Sequence, residues 1–196
     1  MRPVFISQRD LYNRNVETND LNNLVQAASK GDADSFSRLC TRYYPAMVAI
    51  AYSRLSDKDL AEDAAQEAFY IAFRDISRLK NADLFVRWLA RICRNISSDM
   101  AKKRKRNEHI QLEDCEIHSS EKVEQSNYDE LVKDIISKLP LKSKEIVFLK
   151  FYNKLSYEEI SKVLGISQEA VNGRLRRAKK FIAKELSRLD SIEVDL

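Results

Sequence analysis

The sequence predicts an all-α protein in which two small helical domains are joined by an acidic, flexible connector. Three glycines and three prolines occur among 196 residues, and no run of alternating apolar and polar residues indicates a β-strand. Apolar residues instead recur at steps of three and four, the period of an amphipathic helix. Charge is segregated as well: eight basic residues against one acidic residue at positions 87–106 are followed by eight acidic against one basic at 107–130. The acidic block is the natural boundary between two domains.

The first half of the chain predicts four helices. The first covers about residues 19–29 and the second about 33–55, with a kink at Pro45, which cannot donate its backbone amide. Acidic residues that suit a helix N-terminus place the start of the third helix near Asp57. The fourth covers about 84–103 and has one apolar and one basic face. In the second half, further helices are expected before and after Pro140, ahead of a final pair.

The final pair carries the most specific local pattern, over residues 155–182. Ser156 and Glu159 have the spacing of a capping box at the start of one helix, and Gly165 supplies the backbone freedom needed to leave it. Ser167 caps a second helix, in which apolar residues recur with helical period and the remaining surface is basic. A short helix bracing a cationic one predicts a helix-turn-helix, whose second helix enters the major groove of DNA.

These patterns divide the chain into five segments. Residues 1–19 are a polar leader, 20–106 a first helical domain, 107–126 the acidic connector, 127–190 a helix-turn-helix domain and 191–196 a tail. Because each domain has its own apolar stripe, we expect the two to fold independently, with a mobile connector between them. A packed, autoinhibited arrangement is the alternative.

Several classes of function are disfavoured by composition. No signal peptide or membrane-spanning segment is visible, so a cytoplasmic protein without membrane insertion is expected, with Cys40 and Cys93 as buried free thiols. His109, Cys115 and His118 would supply three of the four ligands of a closed zinc site. A fourth ligand is not evident in the sequence, so neither a metal nor another cofactor is expected. Two histidines and the lack of a Gly-rich phosphate loop argue against an enzyme.

Several motifs remain, in a fixed order along the chain. Residues 62–69 read E-D-A-A-Q-E-A-F and residues 88–99 read W-L-A-R-I-C-R-N-I-S-S-D, while 155–160 read L-S-Y-E-E-I and 171–178 read V-N-G-R-L-R-R-A. Together they resemble the motifs of bacterial sigma factors of the extracytoplasmic-function group of the sigma-70 family, the specificity subunits of RNA polymerase. The resemblance covers nearly all of residues 20–188. It implies a non-enzymatic subunit that directs promoter-specific transcription initiation.

The resemblance implies that the second domain binds the −35 promoter element. Asn172, Gly173 and Arg176 match family positions that face base edges, and the Arg176 guanidinium can contact a guanine with two hydrogen bonds. The other basic residues suit phosphates, with a solvated surface as the alternative. The complete expected set is Ser167, Gln168, Asn172, Gly173, Arg174, Arg176, Arg177, Lys179 and Lys180.

The resemblance also implies that the first domain recognises and opens the −10 element. A cationic groove and a pocket for unstacked bases are expected along the fourth helix and the loop before it. Trp88 is assigned to core packing rather than to base stacking. Residues 102–106 are expected to clamp duplex phosphates, with a frayed, solvated helix end as the alternative. The expected residues are Lys80, Asn81, Arg91, Asn95, Ser98, Asp99, Lys102, Lys103 and Arg106.

The acidic motif is too negative to bind DNA. In the family it docks on core RNA polymerase, which implies a polymerase-binding set of Glu62, Asp63, Gln66, Glu67 and Phe69. Simple complementarity with the helix dipole is the alternative. Expected partners are therefore core RNA polymerase, promoter DNA and an anti-sigma factor, with the free chain a monomer. A stand-alone helix-turn-helix regulator that binds an operator without polymerase is the competing function.

Overall fold

The computed structural model describes residues 18–114 and 127–193, and every regular element in these stretches is helical. The helices are α1 Thr18–Ser29, α2 Ala33–Leu55, α3 Lys58–Asp75, α4 Phe85–Asp114, α5 Asn127–Ser137, α6 Leu141–Val147, α7 Tyr157–Leu164 and α8 Gln168–Glu193. Two short 3-10 turns, Ile76–Arg78 and Ala82–Leu84, connect α3 to α4, and a π-helical turn at Phe148–Tyr152 follows α6. The predicted all-α class is confirmed.

Helices α1 to α4 form the first domain, in which α2, α3 and α4 pack against one another. Small side chains let α3 approach its neighbours closely, since five of its alanines have no exposed surface: Ala61, Ala64, Ala65, Ala68 and Ala72. Larger residues fill the remaining space, including Met47 and Ile50 of α2 and Phe85 and Leu89 of α4, all fully buried. Burial of this apolar surface is the main force that holds the bundle together. Helix α2 continues through Pro45, so the proline does not end it.

Helices α5 to α8 form the second domain, with α7 and α8 as the helix-turn-helix. The predicted capping box is present: the Ser156 amide donates to Glu159 Oε2 at 2.7 Å, and the Glu159 amide donates to Ser156 Oγ at 3.1 Å. Gly165 ends α7 in the left-handed region, with φ of 65°. The apolar stripe of α8 is buried at Val171, Leu175 and Ala178. Local sequence rules therefore place both helices correctly.

Helix α4 is longer than the sequence suggested. It was expected to end near Lys103 but continues to Asp114, so residues 107–114, assigned to the connector by their charge, are helical. Acidic composition indicates exposure to solvent, but it does not stop a helix, and no glycine or proline lies between 103 and 126. The rest of the connector, residues 115–126, lies outside the described residues, as do residues 1–17 of the leader and the end of the tail.

The two domains share buried apolar surface. One cluster of buried residues extends from α2, α3 and α4 into the second domain, where it includes Leu149, Ile160 and Leu175. A smaller cluster formed by Leu139, Val147 and Ala178 belongs to the second domain alone. The expectation of two separate cores is therefore corrected: helical period identifies which residues are buried but not which helix covers them. Independent folding of each domain stays a prediction.

Candidate nucleic-acid interface

Helix α8 presents a basic face to solvent. Its apolar stripe anchors it to the second domain, which turns the opposite side of the helix outward. Gly173 and Arg174 are half-buried. The remaining predicted −35 residues of this helix are exposed: Gln168, Asn172, Arg176, Arg177, Lys179 and Lys180. Lys179 Nζ also lies 5.6 Å from the centre of the Phe151 ring, which gives this lysine a cation–π contact within the domain.

The start of α8 is fixed by a side-chain cap. Ser167 Oγ accepts a hydrogen bond from the Ala170 amide at 3.2 Å. The backbone amide of Glu169 and the Ser167 hydroxyl hold the pKa of the Glu169 carboxyl below its ordinary value. The Ser167 hydroxyl, predicted at the −35 surface, is thus already used within the protein. Its defined role is to orient the recognition helix.

Two glycines of the helix-turn-helix should respond in opposite ways to replacement with alanine. A Cβ at Gly173 would meet only Arg177 Nη1, at 3.7 Å, so Gly173→Ala should stabilise the free protein by up to about 1 kcal/mol through helix propensity. A Cβ at Gly165 would lie 2.4 Å from Arg87 Nε, and its φ is positive, so Gly165→Ala should destabilise by about 1–2 kcal/mol. Urea unfolding followed by circular dichroism measures both. A loss of stability in Gly173→Ala would contradict the open space around that position.

The exposed face of α4 carries the residues predicted at the −10 element. Asp99 and Lys102 form an ion pair on this face, with Lys102 Nζ 3.3 Å from Asp99 Oδ1. Ser98 is half-buried, and its hydroxyl donates to the Arg94 carbonyl at 2.7 Å, so it is engaged by its own helix. The other predicted residues of α4 are all exposed: Arg91, Asn95, Lys102, Lys103 and Arg106. The structure therefore places these basic and polar side chains on one face of α4, with the acidic Asp99 among them.

The loop before α4 is held in place by side-chain hydrogen bonds. Asn81 Oδ1 accepts from the Asp83 amide at 2.9 Å, and Asn22 Nδ2 of α1 donates to Asp83 Oδ1 at 2.7 Å. Lys80 is exposed beside them. Trp88 is half-buried, and its ring centre lies 6.2 Å from that of Phe85. Its contact with the hydrophobic core supports the packing role expected for this residue.

Helix α3 presents an acidic face on the same domain. Asp63, Gln66 and Glu67 are exposed at spacings that place them on one side of the helix, whereas Glu62 is half-buried and pairs with Lys58 at 3.7 Å. Phe69, predicted at the polymerase-binding surface, is only 6% exposed and packs in the core. Residues 62–69 alternate between surface and core positions. The motif alone therefore does not show which of its residues face a partner and which pack in the core.

Sequence reasoning missed an exposed aromatic residue beside this face. Tyr70 is 64% exposed and lies one turn after Gln66 and Glu67. Phe73, the next turn along, is also exposed, and its ring centre is 5.0 Å from that of Phe36. Apolar residues that recur at helical spacing usually face a core, so the sequence alone does not show that these two aromatic rings are exposed.

The described residues contain no cluster of three or more side chains suited to a metal ion; Cys115 and His118 lie outside them. Cys93 is buried as expected, whereas Cys40 is only half-buried. Burial raises the pKa of both thiols to about 11. These two thiols are therefore protonated near neutral pH and are poor nucleophiles or metal ligands. In the same part of the chain, no helix is long and apolar enough to cross a membrane.

Comparison with known proteins identifies both domains. Residues 39–107 match the family model for sigma-70 region 2, and residues 129–182 match the model for sigma-70 region 4. Together these matches span more than half of the chain. The sigma factor SigW of the extracytoplasmic-function group, from Bacillus subtilis, is 28% identical over 181 residues, covering 83% of this chain and 94% of SigW. This chain belongs to the extracytoplasmic-function group of the sigma-70 family.

Other relatives agree with this assignment. The extracytoplasmic-function sigma-E factor of Haemophilus influenzae is 27% identical over 180 residues, covering 85% of this chain and 95% of that protein. Among solved structures, CnrH in complex with the cytosolic domain of CnrY matches with a TM-score of 0.60 at 24% identity, covering 86% of this chain and 97% of CnrH. At that identity the structural likeness shows the fold alone. Helices α2 to α4 thus belong to region 2, and α5 to α8 to region 4.

Proposed function

We propose that this sigma factor binds core RNA polymerase and directs promoter-specific initiation through two DNA-reading surfaces, one on α8 and one on α4. The observation that supports the proposal most directly is the presence of both surfaces in one chain that matches sigma-70 regions 2 and 4. Catalysis of RNA synthesis belongs to the core enzyme. The sigma factor supplies the choice of start site and assists strand opening.

At the −35 element, the base edges would be read by Asn172 and Arg176. Both are exposed on the outward face of α8, opposite its buried stripe. Arginine can contact O6 and N7 of guanine at the same time, which is worth roughly 1–3 kcal/mol of discrimination. The basic residues around them carry charge but no base-specific geometry. We assign phosphate contacts to Arg174, Arg177, Lys179 and Lys180.

At the −10 element, the exposed face of α4 would hold the opening strand. Its side chains combine hydrogen-bonding groups at Asn95 and Asp99 with basic groups at Arg91, Lys102 and Lys103. A single strand is held by a cationic groove that follows its backbone and by pockets for its unstacked bases. The ordered loop at Lys80 and Asn81 lies before this helix and is the proposed site of such a pocket. Arg106 extends the basic surface toward the neighbouring duplex.

Protein partners would use the acidic face of α3. Its exposed members Asp63, Gln66 and Glu67, with Glu62 at its edge, are proposed to contact a basic surface of core polymerase. Phe69 supports this helix from the core side. We infer an anti-sigma partner as well, because CnrH and the Bartonella quintana sigma factor RpoE were solved in complexes, the second with the anti-sigma factor NepR. The chain would act as a monomer in the cytoplasm until it binds polymerase.

Reconstituted transcription tests this function. The purified chain is mixed with its cognate core polymerase on fragments of the source genome, and transcript starts are mapped. Defined start sites are expected with both components and with neither alone, each preceded by a pair of shared sequence elements. Absence of defined starts in the complete mixture would contradict the proposal. Sequence-specific DNA binding that needs no polymerase would instead favour the operator-binding regulator.

A further inference from the structure

The two domains meet along a packed seam. Helix α6, the π-helical turn and α7 of the second domain contact α2 and α4 of the first. Across this seam the ring of Tyr52 lies edge-on to that of Phe148, with centres 5.1 Å apart. The contact between α4 and α7 joins the helix that carries the −10 residues to the helix-turn-helix. The structure is therefore a closed arrangement of a two-domain sigma factor.

A buried acidic residue lies in this seam. Glu145 of α6 is only 5% exposed, although it carries a carboxylate and follows Lys144 in the chain. Arg54 of α2 and Arg94 of α4 both donate to the same carboxylate oxygen, Oε1, with Arg94 Nε at 2.9 Å. Both arginines belong to the first domain. The described polar contacts of the Glu145 side chain thus exist only while the domains are packed, and separation would return the carboxylate to water.

The closed arrangement conflicts with simultaneous recognition of both promoter elements. The names of the −35 and −10 elements give their positions on the DNA, about 25 base pairs apart. That spacing is roughly 85 Å of B-form DNA. A compact chain of this length has a radius of gyration of only about 16 Å. The two DNA-reading helices cannot reach both elements while α4 and α7 remain in contact. Opening of the seam must therefore precede promoter recognition.

Arg94 connects the seam to the DNA-reading surface. It lies three residues after Arg91 and four before Ser98, beside the proposed −10 face of α4. In the closed arrangement its guanidinium is bound to Glu145. Release of Glu145 would make this charge available to a phosphate. DNA and Glu145 would thus compete for the same side chain.

We propose that the ion cluster Arg54–Glu145–Arg94 is a latch that holds the free sigma factor closed and limits its activity before polymerase binds. The effect of the latch on transcription rests on the proposed function, but the closed state that it stabilises is a property of the free chain. The two arginines remain in place when the carboxylate is lost, so their buried charges are then uncompensated in the closed state only. Loss of the Glu145 charge should therefore favour the open state.

The variant Glu145→Gln tests the latch because it keeps the side-chain shape and removes the charge. Glu158→Gln is the matched control, since Glu158 is exposed and, among the described residues, pairs with Lys162 of its own helix at 2.7 Å. Small-angle X-ray scattering of the full chain should show a larger radius of gyration for Glu145→Gln than for wild type or control. The concentration of sigma factor needed for half-maximal initiation should fall about tenfold or more, because opening must precede promoter recognition and a larger fraction of Glu145→Gln molecules is open.

A second variant covers the possibility that Glu145→Gln fails to fold. Tyr52→Ala removes a half-buried ring from the same seam and should also expand the chain. Unchanged radii of gyration in Tyr52→Ala and in folded Glu145→Gln would overturn the proposal, as would an unfolded Glu145→Gln together with a compact Tyr52→Ala. If the variants expand but no form of the protein supports initiation, the latch stands and the proposed function fails.

Discussion

Reversing the charge at Glu67 should weaken assembly with core RNA polymerase by about tenfold to a hundredfold. Glu67 lies on the exposed acidic face of α3 beside Asp63 and Gln66. If this face meets a basic surface, Glu67→Lys replaces an attraction with a like-charge contact, and the expected loss corresponds to about 1.4–2.8 kcal/mol. The change lies outside the core, so helical content and the midpoint of urea unfolding should stay close to those of the wild type.

Asp34→Lys is the control for this experiment. Asp34 is an exposed acidic residue of the same domain, in the first turn of α2, and its replacement changes the net charge by the same amount. Affinity for core polymerase is measured by titration of a fluorescently labelled chain at two salt concentrations. Equal losses in both variants would mean that overall charge, rather than the face of α3, governs assembly. An unchanged affinity in Glu67→Lys would rule out the proposed surface.

Replacing Arg176 with alanine should relax base preference at one position of the −35 element by roughly 1–3 kcal/mol. The guanidinium is exposed on the outward face of α8, and its bidentate geometry distinguishes guanine from the other bases. Lys180→Ala should weaken all sequences alike and reduce the salt dependence of binding, because a lysine at a phosphate carries no sequence information. Lys180 is a cleaner comparison than Lys179, whose ammonium also lies over the Phe151 ring.

A library of randomised −35 elements, transcribed with saturating core polymerase, separates these two effects. The Arg176→Ala holoenzyme should give a preference profile that is flattened at one base pair and intact elsewhere. The Lys180→Ala holoenzyme should give the wild-type profile with uniformly lower yield. Identical profiles for the two variants would contradict the division between base contacts and phosphate contacts.

Local features of this fold were predictable from the sequence because local chemistry decides them. Helix α2 has the predicted bounds, and the capping box at Ser156 and Glu159 and the left-handed Gly165 form as expected. In each case a helix start or end depends on residues within one turn of it. The outward direction of the basic face of α8 also follows, since the apolar stripe can bury only one side of the helix.

The sequence could not predict which surfaces of the two domains meet. Glu145 and Arg94 are 51 residues apart, and nothing in either segment identifies the other as its partner. Glu145 follows Lys142, Ser143 and Lys144 in α6, so the local sequence resembles that of an exposed, polar helix turn. The exposure of Tyr70 and the burial of Phe69 depend likewise on how α3 packs. Long-range packing, rather than helical period, determines these features.

A promoter-spacing series tests the central claim most directly, since that claim requires both DNA surfaces of one chain to act together. Templates carry the same −35 and −10 elements with the spacer lengthened or shortened one base pair at a time. Initiation by the reconstituted holoenzyme should peak at one spacing and collapse when about five base pairs are inserted, because that insertion rotates one element by half a turn of the duplex. Initiation that is indifferent to spacing, or that persists after either element is removed, would contradict the account.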